Sequence, residues 1–299
     1  MLFIVEGCDK SGKTTLSKKL VAQFNAEYIK FSQPKKPPYE EYKDFIKSVD
    51  PNKNYVLDRY AYGELVYGPI YRGKSGLTEA QLHYLELLLL PYYPIVVYCR
   101  TNVKQVKANF IKDKEEFTRL SDINKIHTAF DRVFSNTVTP VYKYDYIKDL
   151  DHAKVLDALG LARMMEHNSA ALSHIATKSY LGSSSPYVLF VGDNKNPKRK
   201  HLGIFESASG YFLLDVVHKI VDLGFTAFVN SVDCGRVVSK KLLLGVNPFK
   251  IVALGKLAAM RLRALDVSFV KVVHPQFAKR FYGCKAKQKY EAEIRKVLK

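Results

Sequence analysis

The residues with the clearest chemical meaning form one continuous stretch near the start of the chain, Gly7-Cys8-Asp9-Lys10-Ser11-Gly12-Lys13-Thr14-Thr15. Residues 7–14 fit G-x-x-x-x-G-K-[ST], the pattern of a loop whose backbone N–H groups surround phosphate oxygens. In such a loop Lys13 contacts the outer phosphates of ATP, and the hydroxyl of Thr14 binds Mg²⁺. The stretch therefore predicts a site for ATP and Mg²⁺ and chemistry on a phosphoryl group.

The segments on both sides of this loop are those that it requires. Residues 2–5 are apolar, as in a buried parallel strand, and residues 14–21 carry apolar side chains at helical spacing. The same alternation continues along the first half, with strands predicted at 27–31, 55–57 and 94–99 and helices at 39–49 and 77–90. This order predicts an α/β fold with a doubly wound parallel sheet.

Two other polar features of the first half bear on the same chemistry. Asp58 follows a predicted strand, where this kind of fold places a catalytic or Mg²⁺-linked carboxylate. Residues 109–132 are rich in charge and include Arg119. This segment is either a mobile lid that brings a cation over the transferred phosphoryl group or a solvated helical hairpin. A run of charges does not by itself separate the two.

Composition narrows the class of protein. A chain of 299 residues with 47% hydrophobic content is long enough for one large or two ordinary domains. Its apolar runs are all shorter than the roughly 18 residues that a membrane-spanning helix needs. The four cysteines, at positions 8, 99, 234 and 284, form no C-x-x-C pair, which argues against a zinc site or a disulfide framework. We therefore expect a cytoplasmic protein without a signal peptide or a membrane partner.

The positive charge is concentrated in the second half of the chain. Residues 1–160 have a net charge of +4, whereas residues 161–299 have +14, out of +18 in total. A solvated basic surface is one explanation. An excess this uneven is more typical of a protein that binds a polyanion such as DNA.

The second half has its own alternation of strands and helices, with polar residues where the strands end. A predicted helix at 151–177 and a flexible link at 182–186 separate the halves, so we predict domains at 1–177 and 186–299. The polar residues that follow the strands are Asp193, Asn230, Gly255-Lys256 and His274. Ligands bind at this edge in open α/β sheets, which predicts a pocket there. Basic segments at 195–200, 236–241 and 279–289 suit contacts with a phosphate backbone.

The first half resembles the superfamily of thymidylate and deoxynucleoside kinases. Residues 5–15 are similar to its E-G-x-D-x-x-G-K-[ST]-T loop, and Asp58-Arg59-Tyr60 is similar to its D-R-[YF] segment. The resemblance implies that Lys13, Asp9, Asp58 and Arg59 are catalytic, with Asp9 near the acceptor, Asp58 serving Mg²⁺ or acting as base, and Arg59 on phosphate. Residues 61–73 depart from the cellular enzymes and look more like a viral branch. The expected substrate contacts are Glu64, Tyr67, Arg72 and Arg119, although residues 61–73 are also explained by helix packing.

The second half resembles the superfamily of uracil-DNA glycosylases. The similar segments are Val191-Gly192-Asp193-Asn194, Phe228-Val229-Asn230, residues 251–258 and His274-Pro275-Gln276, with Gln276 in place of a serine. The resemblance implies a pocket for a base turned out of DNA. Asn230 would read the pyrimidine edge, Asp193 would stand where the family has its water-activating acid, and His274 would face developing charge. Whether glycosylase chemistry survives is left open.

Three functions follow from these features. The first joins both halves, as a kinase that uses ATP and Mg²⁺ to phosphorylate 5-hydroxymethyluracil in DNA, as phages with hypermodified DNA do. The second is a kinase for a free deoxynucleoside or deoxynucleoside monophosphate. The third is a DNA-binding or glycosylase module with an NTPase-like domain. A viral protein of any of these kinds would act in the host cytoplasm, and the oligomeric state is open.

Overall fold

The computed structural model describes residues 1–113, 118–148, 180–183, 186–194, 205–233 and 236–298. It divides into two compact units, Met1–Ser169 and Ala170–Lys299. The predicted helix at 151–177 and the basic segment at 195–200 lie outside the described residues, as do residues 114–117 of the charged segment.

Strands and helices alternate in the first unit as the apolar pattern predicts. The strands are β1 (Leu2–Gly7), β2 (Glu27–Lys30), β3 (Tyr55–Asp58), β4 (Pro94–Cys99) and β5 (Val141–Tyr144). The helices are α1 (Lys13–Phe24), α2 (Pro38–Ser48), α3 (Tyr62–Arg72), α4 (Glu79–Leu89), α5 (Val103–Lys112) and α6 (Ile123–Ser135), with short 3₁₀ turns at Leu90–Tyr92 and Leu120–Asp122. Helix α4 begins in a capping box formed by Thr78 and Gln81.

The strands of the first unit form a parallel sheet in the order β2-β3-β1-β4-β5. Strand β1 lies in the middle, with Val5 opposite both Asp58 of β3 and Val97 of β4. All six residues of β1 are buried because helices cover both faces of the sheet. The chain crosses from one side of β1 to the other between β3 and β4, which puts a ligand-binding crevice at the carboxyl end of β1.

Two groups of side chains hold the helices to this sheet. On one side, Phe3, Val5, Leu16, Leu20, Val56 and Ile95 belong to one buried cluster that fixes α1. Another group is aromatic: the rings of Tyr98, Phe130 and Phe134 lie within 5.7 Å of one another, which fixes α6 to β4. The loop after β1 therefore leaves a rigid strand and enters a rigidly packed helix.

The second unit contains six further strands and five further helices within its described residues. The strands are β6 (Tyr180–Gly182), β7 (Val188–Asn194), β8 (Thr226–Asp233), β9 (Arg236–Val237), β10 (Lys250–Leu254) and β11 (Val270–Val272). The helices are α7 (Ala208–Val217), α8 (Lys240–Val246), α9 (Lys256–Ala264), α10 (Pro275–Phe281) and α11 (Ala286–Leu298), with 3₁₀ turns at Leu223–Phe225 and Gly283–Lys285.

The second sheet is mixed. Strands β11-β10-β7-β8 are parallel neighbours, while β6 and β9 pair antiparallel with β8. The predicted second domain started at residue 186, but the sheet already includes Tyr180–Gly182. Residue 182 therefore belongs to a strand and not to a flexible link. Strand β6 is an edge strand of three residues, too short to show an alternating apolar pattern in the sequence. It forms only through its pairing with β8.

The described residues also bear on membrane-spanning helices and on cysteine chemistry. Among them, no helix combines the length and the apolar character that crossing a lipid bilayer requires. Cys8, Cys99 and Cys284 are free thiols, and within the described parts of the chain no three His, Cys, Asp or Glu side chains are grouped as metal ligands.

Candidate functional site

The phosphate loop leaves β1 and enters α1 through two glycines in unusual backbone conformations. Gly7 has φ +142°, and a Cβ built on it would lie 2.6 Å from the carbonyl oxygen of Cys99. Gly12, with φ +89°, is the residue that precedes α1, and no side chain caps the helix there. The first N–H groups of α1 therefore point toward the loop, and together with the helix dipole they favour an anion at this position.

Neighbouring segments hold the loop in place. The hydroxyl of Thr101, just after β4, donates to the carbonyl of Ser11 at 3.3 Å, and the amide of Asn109 on α5 donates to the carbonyl of Lys10 at 3.0 Å. The phosphate loop is thus held by two segments that lie 90 and 99 positions further along the chain. A loop fixed in this way needs little reorganisation to bind phosphates.

Lys13 lies folded against the loop. It is 6% exposed, and its ammonium donates to the carbonyls of Gly7 at 2.9 Å and Cys8 at 2.7 Å. It also lies 3.3 Å from a carboxylate oxygen of Asp9. This position holds a positive charge beside the N-terminus of α1, which is where the sequence motif places the phosphate-binding lysine.

Asp9 is the centre of a buried polar network. Oδ1 accepts from the guanidinium of Arg59 at 2.6 Å, and Oδ2 accepts from the hydroxyl of Thr118 at 2.8 Å. Burial raises the pKa of this carboxyl, but Lys13 and Arg59 outweigh burial and hold its pKa below the usual value. Asp9 is therefore ionised at neutral pH and orients the two cations.

The residue that follows β3 brings Arg59 to this network. Arg59 has φ +75°, a conformation rare for a residue with a side chain, and its N–H donates to the carbonyl of Val5 at 2.9 Å. The turn directs the guanidinium back over the phosphate loop. The predicted catalytic residues Lys13, Asp9 and Arg59 are thus brought together by the fold.

Thr14 and Asp58 also meet. The hydroxyl of Thr14 donates to Oδ2 of Asp58 at 3.1 Å, and the same oxygen accepts from the phenol of Tyr28 at 2.7 Å. Burial, followed by the hydrogen bond to Asp58, raises the pKa of Tyr28 to about 12. A hydroxyl and a carboxylate that face one point are the hard oxygen donors that Mg²⁺ prefers, so these residues fit the ion predicted for them.

The four residues predicted to contact substrate have different surroundings. Glu64 is buried and forms an ion pair with Arg72, and it accepts from the N–H of Gly76 at 2.8 Å. This pair closes the turn after α3, which favours the packing explanation that the sequence left open for residues 61–73. The roles of Glu64 and Arg72 in binding substrate stay predictions.

Tyr67 and Arg119 are closer to the phosphate loop. The rings of Tyr67 and Tyr71 stack at 6.2 Å, and the phenol of Tyr67 lies 3.5 Å from the carbonyl of Gly7. The N–H of Arg119 is 3.4 Å from the phenol of Tyr71, and its side chain is exposed. Because Thr118 contacts Asp9, the charged segment of residues 109–132 reaches the loop at this point. Whether it closes as a lid is a prediction that stays open.

Three residues of this site were missed by sequence reasoning. Thr118 and Tyr28 bind the two acidic residues of the site from distant positions, and Glu6 lies buried directly before the loop. Glu6 offered one usable signal, an acidic residue at the end of an otherwise apolar strand. Thr118 and Tyr28 offered none, since neither is part of a motif.

The polar residues predicted in the second unit converge at the carboxyl edge of its sheet. Gly192 of β7 is opposite Asn230 of β8, and a Cβ on Gly192 would lie 3.0 Å from Oδ1 of Asn230. A Cβ on Gly255, which has φ +102°, would lie 3.1 Å from both Oδ2 of Asp193 and Cβ of His274. Gly192 thus makes room for Asn230, and Gly255 makes room for Asp193 and His274.

Hydrogen bonds fix two members of this group. Oδ1 of Asp193 accepts from the N–H of Ala258 at 2.7 Å, which caps α9. Nδ1 of His274 accepts from the N–H of Gln276 at 3.2 Å, so a neutral imidazole carries its proton on Nε2. Burial lowers the pKa of His274 against the opposing charge of Asp193. Asp193 and His274 can therefore present a carboxylate and an imidazole donor side by side, and Asn230 can present an amide.

Comparison with known proteins gives relatives for the first unit. No family model matches the chain. It is 29% identical over 147 residues to the SPbeta prophage-derived uncharacterized protein YorR of Bacillus subtilis (strain 168), which covers 48% of this chain and 88% of YorR. The crystal structure of YorR in complex with phosphorylated GDP aligns with 56% of this chain and 99% of YorR, at 25% identity and a TM-score of 0.48.

Other solved structures are similar over the same share of the chain. Deoxyadenosine kinase from M. mycoides with bound dCTP aligns with 56% of this chain and all of its own, at 18% identity and a TM-score of 0.35. Thymidylate kinase from Candida albicans aligns with 54% of this chain and 92% of its own, at 15% identity and a TM-score of 0.36. By their names, one of these two proteins is a nucleoside kinase and the other a nucleotide kinase. The glycosylase-like type of the second unit stays a prediction.

The backbone of Gly7 leads to the first testable expectation. Gly7→Ala would force an unfavourable φ and push a Cβ into the Cys99 carbonyl, so the loop must shift. Strain of roughly 1–3 kcal/mol corresponds to about a 5- to 150-fold loss of affinity for ATP. Calorimetric titration with ATP measures it. Gly245→Ala, where an added Cβ has open space, is the matched control and should bind ATP normally. Equal affinities of the two variants would contradict the loop geometry.

Proposed function

We propose that this protein is an ATP-dependent phosphotransferase whose acceptor is a hydroxymethylated pyrimidine, 5-hydroxymethyluracil, held in DNA. The observation that carries the DNA part is the placement of Asp193, Asn230 and His274 toward the carboxyl ends of three parallel strands in the strongly basic second unit. The kinase part rests on the phosphate loop and its network, in a unit similar to nucleoside and nucleotide kinases.

The first unit has the parts that phosphoryl transfer needs. The loop N–H groups and Lys13 hold the phosphates of ATP, and Arg59, oriented by Asp9, adds positive charge beside them. Mg²⁺ bound at Thr14 and Asp58 would neutralise charge on the phosphate oxygens. The acceptor hydroxyl attacks the γ-phosphorus, the bond to the bridging oxygen breaks, ADP leaves, and a site carboxylate takes the hydroxyl proton.

The second unit supplies what a kinase for a free nucleotide does not need. Its net charge of +14 over residues 161–299 suits a DNA backbone. The amide of Asn230 can donate to a carbonyl oxygen of uracil and accept from its ring N–H, while Phe205 lies against Gly192 beside it as a flat apolar wall. An amide beside an aromatic wall favours a planar imide, which is the edge that a uracil-type base presents.

The biological setting agrees with this proposal. The relative YorR is described as prophage-derived, and base hypermodification belongs to viral DNA. We accordingly propose action in the host cytoplasm. A kinase for free deoxynucleosides or their monophosphates, and a glycosylase module with an NTPase-like unit, are the competing outcomes of the test.

The deciding experiment offers both acceptors to one preparation of the full chain. The protein is incubated with γ-labelled ATP, Mg²⁺ and either duplex DNA containing 5-hydroxymethyluracil or a set of free deoxynucleosides and monophosphates. Label in the DNA that is absent from matched thymine DNA supports the proposal. Label only in the free nucleotides would overturn it in favour of an ordinary nucleotide kinase. Loss of the base from DNA without label would instead support the glycosylase.

Asn230 provides the matched test of base recognition. Asn230→Ala removes both proposed hydrogen bonds to the pyrimidine edge, a pair that contributes about 1–3 kcal/mol. We therefore expect kcat/KM for modified DNA to fall roughly 5- to 150-fold. Asn230→Asp keeps the size but replaces the amide donor with an acceptor, so it should lose activity as well. Hydrolysis of ATP in the absence of DNA is the control and should not change. Full activity of both variants on DNA would place base recognition elsewhere.

A further inference from the structure

Glu6 is a buried carboxylate that the proposed chemistry does not use. It is 1% exposed and lies in β1, immediately before the phosphate loop. Its Oε1 accepts two backbone hydrogen bonds, from the N–H of Tyr60 at 2.7 Å and from the N–H of Gly63 at 3.3 Å. Tyr60 lies between β3 and α3 and Gly63 in the first turn of α3, 54 and 57 residues away along the chain.

These contacts complete a helix that cannot cap itself. Helix α3 is preceded by Ala61, which has no side chain able to accept from the first N–H groups of the helix. Glu6 takes that role from another element, because Gly63 lies in the first turn of α3. A negative charge at the N-terminus of a helix is also favoured by the helix dipole.

The two segments that Glu6 joins carry different parts of the site. Gly7 follows Glu6 directly and begins the phosphate loop, which binds the donor. Helix α3 carries Tyr67, and the turn before it carries Arg59 in its rare conformation. A shift of α3 or of this turn would therefore move Tyr67 and Arg59 while leaving the loop in place.

Cations support this arrangement. Burial raises the pKa of Glu6 to about 7, and the hydrogen bond from the N–H of Tyr60 and the charges of Lys13 and Arg59 oppose that rise. The same two cations bind Asp9. Glu6 thus belongs electrostatically to the site.

We propose that Glu6 is a positioning residue that fixes α3 and the turn at Arg59 relative to the phosphate loop, and so aligns the acceptor with ATP. It acts through Tyr60 and Gly63 and does not touch substrate. This inference rests on the proposed kinase function. It can be tested separately from that function, because loss of Glu6 should lower kcat/KM for the acceptor while the affinity for ATP stays nearly unchanged.

The test compares three variants of the full chain. Glu6→Ala removes both hydrogen bonds and should lower kcat/KM for the acceptor about 10- to 100-fold, the scale that misalignment in an active site produces. Affinity for ATP should change by less than about 3-fold, because uniform binding at the loop is preserved. Glu6→Gln keeps one carbonyl oxygen as acceptor and should restore much of the activity. Glu27→Gln, an exposed residue on β2, is the control and should behave as the wild type.

Hydrogen exchange gives a readout that does not depend on turnover. The amides of Tyr60 and Gly63 should exchange faster in Glu6→Ala than in the wild type, while amides of α1 keep their protection. If Glu6→Ala does not fold, the same comparison with Glu6→Gln decides the matter through its intermediate protection. Unchanged exchange and unchanged acceptor kinetics in an active enzyme would overturn the role of Glu6. A wild type that transfers phosphate to no acceptor would overturn the proposed function instead.

Discussion

Lys13→Ala is expected to abolish phosphoryl transfer and to leave DNA binding largely intact. The ammonium of Lys13 is held by two carbonyls of the phosphate loop and lies beside Asp9, at the position where the motif has its phosphate-binding lysine. Removing a preorganised charge of this kind from a transition state costs about 10²–10³-fold or more in kcat. We therefore expect transfer below about one hundredth of the wild-type rate, measured with γ-labelled ATP.

DNA binding separates the possible outcomes of that experiment. The basic excess and the converging polar residues belong to the second unit, so Lys13→Ala should bind duplex DNA with the wild-type affinity and salt dependence. Lys18→Ala, an exposed lysine on the same helix, is the matched control and should retain transfer. Loss of both transfer and DNA binding in a folded Lys13→Ala protein would contradict the division of labour between the two units.

Glu86→Ala is expected to destabilise the first unit more than any surface change. The carboxylate of Glu86 is fully buried in α4 and accepts from the phenol of Tyr62 at 2.9 Å and from the N–H groups of Val138 at 3.1 Å and Thr139 at 3.4 Å. The hydroxyl of Thr137 donates to it as well. Burial raises the pKa of Glu86 to about 7, and these hydrogen bonds oppose that rise.

Removal of Glu86 leaves its donors buried without an acceptor. Breaking a buried charged network in this way costs about 3–5 kcal/mol of the free energy of unfolding. Calorimetry measures the loss, and ATP, which should raise the midpoint of one transition, identifies the first unit. Glu79→Ala, an exposed residue of the same helix, should cost less than about 1 kcal/mol. Equal stabilities for the two variants would show that the network around Glu86 contributes little.

The hydrogen bonds of Glu86 are also connected, through other elements, to the phosphate loop. The hydrogen bonds tie α4 to α3 through Tyr62 and to the segment before β5 through Val138 and Thr139. Strand β5 in turn pairs with β4, whose end contacts the phosphate loop through Cys99 and Thr101. A network remote from the chemistry thus supports the elements that position it.

The sequence by itself determined the features that depend on neighbours along the chain. The phosphate loop, the strand before it and the helix after it are local patterns, because glycine conformations and apolar periods act over a few residues. The capping box of Thr78 and Gln81 and the strand at Pro94–Cys99 have the same origin. The order of strands and helices, and from it the α/β class, therefore required no tertiary information.

Element boundaries that depend on strand pairing are harder to predict from the sequence. The predicted link begins at residue 182, the last residue of β6, because these residues become a strand only through antiparallel pairing with β8. Helix α7 ends at Val217, and the residues that follow lead into the 3₁₀ turn at Leu223–Phe225 before β8. For β6, pairing with a strand distant in sequence outweighs the local pattern.

Only the tertiary structure decided what surrounds each reactive residue. The contact between Thr118 and Asp9 spans 109 positions, and that between Tyr28 and Asp58 spans 30. Glu64 and Arg72, predicted to face substrate, pair with each other, and Glu64 also accepts from the N–H of Gly76. The physical reason is the same throughout: hydrogen bonds and ion pairs depend on distance in space, which the packing of helices on the sheets sets and the local sequence does not.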